Sequence, residues 1–208
     1  ELDLDRVKLG AELFDSRAYE SDAAGAAGTG EVNTFEFVQA YAKVRLGAEG
    51  PKGVGTEVTL GRYTMDLGSR RLVGRNNFRN TTNAFTGVKL DWSGAQGDSL
   101  TAFYALPQNR LPSDKTSILD NSQKIDKETW DQQFWGVFYA RGGLPLASRG
   151  EAFVFGLKED DSSDFATRNR DILTVGGRLY RDPKVDTYDY EVEGGWQTGP
   201  PRNSTGPT

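Results

Sequence analysis

Residues 5–13 read Asp-Arg-Val-Lys-Leu-Gly-Ala-Glu-Leu, so an extended backbone puts Val7, Leu9, Ala11 and Leu13 on one side and Arg6, Lys8, Gly10 and Glu12 on the other. Residues 34–46 repeat the pattern, with Val38, Ala40, Ala42, Val44 and Leu46 opposite Phe37, Gln39, Tyr41, Lys43 and Arg45. A helix would scatter these charges around its circumference. The segment is therefore read as a strand, although its Ala, Lys and Arg favour helix. The same alternation runs through residues 83–92, 171–181 and 189–197, with Ile172 on the wrong side. Segments 57–67, 99–106, 130–140 and 151–158 complete about nine predicted strands, many near the ~9–11 residues that a tilted strand needs to cross a bilayer.

This rhythm decides how the composition is read. The 208 residues carry a net charge of −5 and a mean hydropathy of −0.61, and no run approaches the ~18 apolar residues of a membrane helix. Alternating strands bury apolar side chains in lipid only at every second position, so a membrane β-barrel can share the composition of a water-soluble protein. The absence of His and Cys removes the serine triad, imidazole and thiolate catalysis, disulfides and most transition-metal cages. Neither catalysis nor a cofactor is expected. A pI near 4.9 also argues against nucleic acid as a partner. The start, Glu1-Leu2-Asp3, has neither an initiator Met nor an apolar signal region and reads as processed or truncated.

The connections alternate in length: residues 17–33 and 107–128 are long and polar, whereas 140–149 and 181–188 are short turns. Long loops at one rim and short turns at the other is the plan of an outer-membrane barrel. Tyr63, Trp92, Trp130, Tyr180, Tyr188, Tyr190 and Trp196 fall near strand ends, as interfacial aromatic girdles require. Residues 1–198 are read as the barrel portion and the Pro-rich residues 199–208 as a tail. The alternative is a soluble carbohydrate-binding β-sandwich. Its strands should present mainly large residues to a shared core, and here Ala40, Ala42, Ala84 and Ala102 stand on the apolar faces.

Charge is unevenly distributed. Residues 58–90 hold Arg62, Arg70, Arg71, Arg75, Arg79 and Lys89 against one acid, Asp66, so this stretch carries +5 and the remainder −10. These arginines lack acidic neighbours in sequence, and guanidinium groups gathered in a lumen would attract polyanions. Asn76, Asn77, Asn80, Thr81, Thr82 and Asn83 add amides and hydroxyls that bind sugars or simply form turns.

Residues 59–90, from Thr-Leu-Gly-Arg through Ser-Arg-Arg-Leu-Val-Gly-Arg to Ala-Phe-Thr-Gly-Val-Lys-Leu, closely resemble the alginate-export family of outer-membrane porins. Glu12, Asp15, Ser16 and Arg17, together with Gln39-Ala40-Tyr41, are similar to that family's first strands. The resemblance implies a monomeric antiparallel transmembrane β-barrel of eighteen strands in the outer membrane of a Gram-negative bacterium. It would conduct an anionic polysaccharide, a uronate polymer or oligomer, and contact outer-membrane lipid. Arg62, Arg70, Arg71, Arg75 and Arg79 would line the pore, joined by Lys43 and Arg45. About nine strands are half of such a barrel, so the chain reads as a fragment, because an open sheet would leave unpaired edges in lipid. Arg62 shares the parity of Val58 and Leu60, and a bulge near Gly61 is expected to turn it inward.

Other constellations read as structural. Glu159, Asp160, Asp161 and Asp164 form an acidic loop without EF-hand spacing. Asp189, Glu191 and Glu193 share a strand face at a separation that permits glycosidase chemistry, yet an acidic stripe balancing Arg178 explains them better. Gly28-Thr29-Gly30 fits no phosphate-loop template.

Overall fold

The computed structural model describes residues 1–20, 27–47, 53–75 and 78–201. They form ten strands: β1 (Leu2–Leu4), β2 (Val7–Ser16), β3 (Asn33–Leu46), β4 (Gly55–Tyr63), β5 (Phe85–Ser93), β6 (Ser99–Pro107), β7 (Gln132–Leu144), β8 (Ser148–Glu159), β9 (Asp171–Arg181) and β10 (Tyr190–Thr198). One short helix, α1 (Lys115–Leu119), interrupts them. All ten strands belong to a single antiparallel sheet in sequence order, β1 to β10. The chain is thus all-β, with nine long strands where the alternation places them and one added three-residue strand, β1.

A sandwich needs two sheets packed face to face. The soluble-sandwich alternative is therefore corrected by the topology: one sheet takes every strand. Connections leave alternate strand ends, and those after β2, β4, β6 and β8 (residues 17–32, 64–84, 108–131 and 160–170) are longer than the turns at 5–6, 47–54, 94–98, 145–147 and 182–189. Most of the Pro-rich tail, residues 202–208, lies outside the described residues. Before it, the Pro200 carbonyl accepts the Asp171 N–H at the start of β9.

The chain divides into two compact units: Glu1–Lys43 with Leu60–Gly87 and Leu106–Trp130, and Val44–Thr59 with Val88–Ala105 and Asp131–Thr208. In the second unit the register aligns Tyr104 with Trp135, Val137 with Val154, Val154 with Val175 and Val175 with Trp196. Tyr104, Trp135, Val137, Val175, Leu179, Val192 and Trp196 from this face are all exposed. Its opposite face is closed by Phe103, Phe138, Phe153 and Phe155, which are buried. Phe103, Phe134 and Phe155 pack with ring centroids 4.9–6.1 Å apart. Gly136 is required there, since a Cβ would run into the Phe155 ring and the Val154 carbonyl. The polar end of this face carries Arg178, which bridges Glu151 (3.4 Å) and Glu191 (3.1 Å) and lies 3.9 Å from the Tyr180 ring centroid. A row of large exposed apolar side chains along one sheet face is the inverse of a soluble sheet and what a strand presents to lipid.

In the first unit Leu9 and Leu13 of β2 are likewise exposed while Ser16 is buried. Its connections are packed around Ala27, Val32 and Ile118, with Ala18 against them. Asp114 caps α1 by accepting the Ser117 N–H, and Asn121 fastens its side chain to both the N–H and the carbonyl of Ala18.

The aromatic expectation is met in part. Trp92, Trp130, Tyr188 and Trp196 are exposed, as girdle residues should be. Tyr63 is 2% exposed and Tyr180 sits under Arg178, so neither belongs to a girdle. Tyr190 pairs its hydroxyl with Ser148.

Candidate functional site

The arginine-rich connection 64–84 belongs to the first unit, where it meets β2, β3 and the 108–131 connection. Its geometry begins at Gly61. The residue adopts φ +116°, and a Cβ would stand 2.5 Å from the Ala40 carbonyl oxygen, so only glycine fits. Alternation slips at this point: Leu60 remains exposed, whereas the Arg62 side chain is 15% exposed. Arg62 thus leaves the face of Leu60 for a buried cluster, whereas the parity argument takes it to a lumen.

Arg62 meets a buried cluster. Its guanidinium donates to Glu36, to the Phe37 carbonyl at 3.0 Å, and to the Asp126 carbonyl and Glu128 at 3.4 Å. The other Glu36 oxygen accepts the Asp126 N–H at 2.8 Å, while the Asp126 carboxylate accepts from Asn33 and from the Leu111 N–H, both at 2.8 Å. One guanidinium thus joins the buried Glu36 carboxylate, the partly exposed Glu128 carboxylate and the Asp126 main chain. Burial lifts the Asp126 carboxyl to about 6, with the nearby Glu36 charge adding to the rise, against the pull of Leu111, Asn33 and Arg62.

Arg75 is held by a second carboxylate. It grips Glu12 with both terminal nitrogens, at 2.8 and 2.5 Å, and Gln39 donates to the same carboxylate. Asp66 accepts the Arg75 N–H at 2.7 Å and lies 3.4 Å from Arg70. The expectation that these arginines lack acidic partners is therefore corrected. Glu36 lies 26 residues from Arg62 and Glu12 lies 63 residues from Arg75, so the partners come from neighbouring strands and connections.

Arg70, Arg71 and Arg79 are exposed. Lys43 lies 5.7 Å from the Tyr41 ring centroid. Arg45 belongs to the second unit, 4.0 Å from Glu57. The structure thus brings Arg70 and Arg75 to Asp66, sets Arg62 in a separate buried cluster, and leaves Arg45 in the other unit.

Thr81, Asn83 and the main chain of Asn80 serve the fold. Thr81 donates to the Thr29 and Gly30 carbonyls, Asn83 donates to the Gly74 carbonyl, and the Asn80 carbonyl accepts from Ser16. Asn76 and Asn77 lie outside the described residues. In the acidic loop, Asp161 accepts from Thr167 and Asn169 and closes the turn on itself.

Sequence reasoning did not single out Arg110, Asp126 or Glu36. Arg110 had a usable signal: it stands between Pro107 and Pro112 with no acidic residue before Asp114, the same isolation that drew attention to residues 62–79. The signal for Glu36 and Asp126 is absent from sequence, because their burial depends on residues far away in the chain.

One antiparallel sheet with exposed apolar rows on one face and paired charges on the other is the construction of a transmembrane β-barrel protein. Residues 3–206 of the 208 match the family described as alginate export, and the chain belongs to that family. This is an outer-membrane β-barrel transport family that exports polysaccharide, and not an enzyme family. No curated protein and no solved structure matches the chain.

Proposed function

We propose that the protein is a passive channel in the outer membrane of a Gram-negative bacterium, conducting an anionic polyuronate along a passage lined by basic side chains. The observation that carries this reading is the row of exposed apolar side chains along one face of the sheet, opposite the face on which Arg178 pairs with Glu151 and Glu191. Family membership supports polysaccharide as the cargo, and the basic surplus of residues 58–90 supports its anionic character.

In this reading Arg70, Arg71 and Arg79 present charge to the solute, with Lys43 and Arg45 contributing from β3. Arg62 and Arg75 belong to the same basic lining but hold it in shape through Glu36 and Glu12. Residues 1–198 form the barrel portion and 199–208 a tail. Closure into a monomeric barrel of eighteen strands, contacting outer-membrane lipid, requires partners for the outer edges of β1 and β10, because unpaired backbone groups are costly in a bilayer. Replacing Arg75 and Arg79 with Glu should lower anion over cation permeability in planar bilayers. An unchanged reversal potential would refute the arginine assignment.

A further inference from the structure

Residues 123–128 reverse the usual order of burial. Ile125 is 67% exposed, whereas the next residue, Asp126, is 5% exposed. Gln123, Lys124, Lys127 and Glu128 are exposed as well, so the acid is the one side chain of this run that is buried. An apolar anchor would hold the segment equally at every pH and without desolvating a charge. A carboxyl group in that place holds it in a way that depends on its proton.

Asp126 is tied to two strands and to its own connection. Its N–H donates to Glu36 of β3 at 2.8 Å, its carbonyl accepts from Arg62 of β4 at 3.4 Å, and its carboxylate accepts from Asn33 of β3 and from the Leu111 N–H, both at 2.8 Å. The charged groups that face it are Glu36 and Arg62 from the strands, with Arg110 and Glu128 from its own connection. Arg62 meets Asp126 at the main-chain carbonyl, while its ion pairs are with Glu36 and Glu128. Arg110 is engaged by the Thr29 and Thr82 carbonyls and by Asn83.

The middle of the same connection is fastened without charge. Asn121 bonds to the Ala18 main chain, Thr34 donates to the Asn121 carbonyl at 3.2 Å, and Ile118 packs with Ala27 and Val32. Glu36 and Arg62 are buried where their neighbours Phe37 and Leu60 are exposed. Residues 108–131 therefore lie on the face of β3 and β4 opposite Phe37 and Leu60, the face that the channel reading takes as aqueous.

We propose that residues 108–131 are a strap across the passage, fastened while Asp126 keeps its proton and released there when the proton leaves and a third carboxylate joins Glu36 and Glu128 around Arg62. The proposal rests on the channel reading for its effect on flow. It goes beyond that reading by assigning regulation by pH to a segment outside the arginine-rich stretch.

The test combines limited tryptic digestion of the membrane-embedded protein with channel conductance. Cleavage after Lys124 is divided by cleavage after the exposed Arg168 in the same digest, so that the protease's own pH dependence cancels. This ratio should rise by roughly tenfold between pH 5 and pH 7.5, as follows for a carboxyl at about 6 in the fastened strap and at 3.8 when released. Wild-type conductance should rise over the same range. Asp126→Asn should hold both quantities at their acid values throughout. A ratio that is flat in the wild type, or that still rises in Asp126→Asn, overturns the proposal. If Asp126→Asn loses its heat-modifiable band on a gel and so fails to fold, Glu36→Gln decides: with one acid fewer beside Asp126 the rise should move to lower pH, and an unmoved rise overturns the proposal. A conducting channel whose ratio rises while its conductance stays constant overturns the strap's place across the passage. A protein that conducts at neither pH defeats the channel reading, and the cleavage ratio then still decides whether Asp126 fastens the strap.

Discussion

Arg62 donates to the buried carboxylate of Glu36, a partner 26 residues earlier in the chain that is itself 2% exposed. Removing one member of such a pair leaves the other as an uncompensated buried charge, which typically costs about 3–5 kcal/mol, whereas replacing both with apolar residues costs far less. Arg62→Met should therefore lower the urea midpoint of the folded protein strongly. Arg62→Met combined with Glu36→Leu should recover much of the loss, apart from that caused by freeing Asp126 and Glu128. Equal destabilisation in the single and double variants would show that the pair is not the element that matters.

Asp126 makes the same cluster sensitive to pH. Its folded-state pKa of about 6 lies above the ordinary 3.8, so the folded cluster binds the proton more tightly than the unfolded chain. The associated stability is full below about pH 4 and is lost as pH rises through 6. The groups facing it are Glu36 from β3, Arg62 from β4, Asn33, and the Leu111 N–H of its own connection. Hydrogen exchange across residues 108–131, corrected for intrinsic rate, should show more protection at pH 5 than at pH 7.5. Asp126→Asn should flatten that difference, and persistence of the full difference in the variant would assign it to another group.

Gly61 offers a test of backbone geometry alone. With φ at +116° and the Ala40 carbonyl oxygen 2.5 Å from a Cβ position, Gly61→Val should destabilise by well over about 1 kcal/mol. It should also return Arg62 towards the exposed face of Leu60, so that an arginine-selective dicarbonyl reagent modifies Arg62 faster. A variant as stable as the parent, with Arg62 equally protected, would mean that the strand does not depend on this kink.

The strands were legible because period two is a local property: β9 spans Asp171–Arg181, the segment that the alternation of Leu173, Val175 and Leu179 marks out. That Arg62 leaves the face of Leu60 was legible too, because a parity break next to a glycine is visible in the letters, but its buried place beside Glu36 was not. The charge pairing was not. Glu12 and Arg75 are 63 positions apart, and nothing in either neighbourhood announces the other, so arginines that look unpaired in sequence are neutralised in space. Tyr63 illustrates the same limit: it stands at a strand end as a girdle residue would, yet it is buried. Single-residue burial at a rim depends on which loops cover it, and loop packing carries no periodic signal.

The central claim is that the exposed apolar face of the sheet is a lipid face and the charged face is aqueous. Single cysteines in membrane-embedded protein test it directly, and the native chain contains no cysteine to confuse the signal. Val175→Cys and Val192→Cys, from the exposed apolar row, should resist a water-soluble thiol reagent and, once labelled with a fluorophore, be quenched by a lipid-borne quencher. Thr174→Cys and Glu191→Cys, one residue away on the opposite face, should show the reverse. Rapid aqueous labelling at Val175→Cys and Val192→Cys, with no quenching from lipid, would contradict the account.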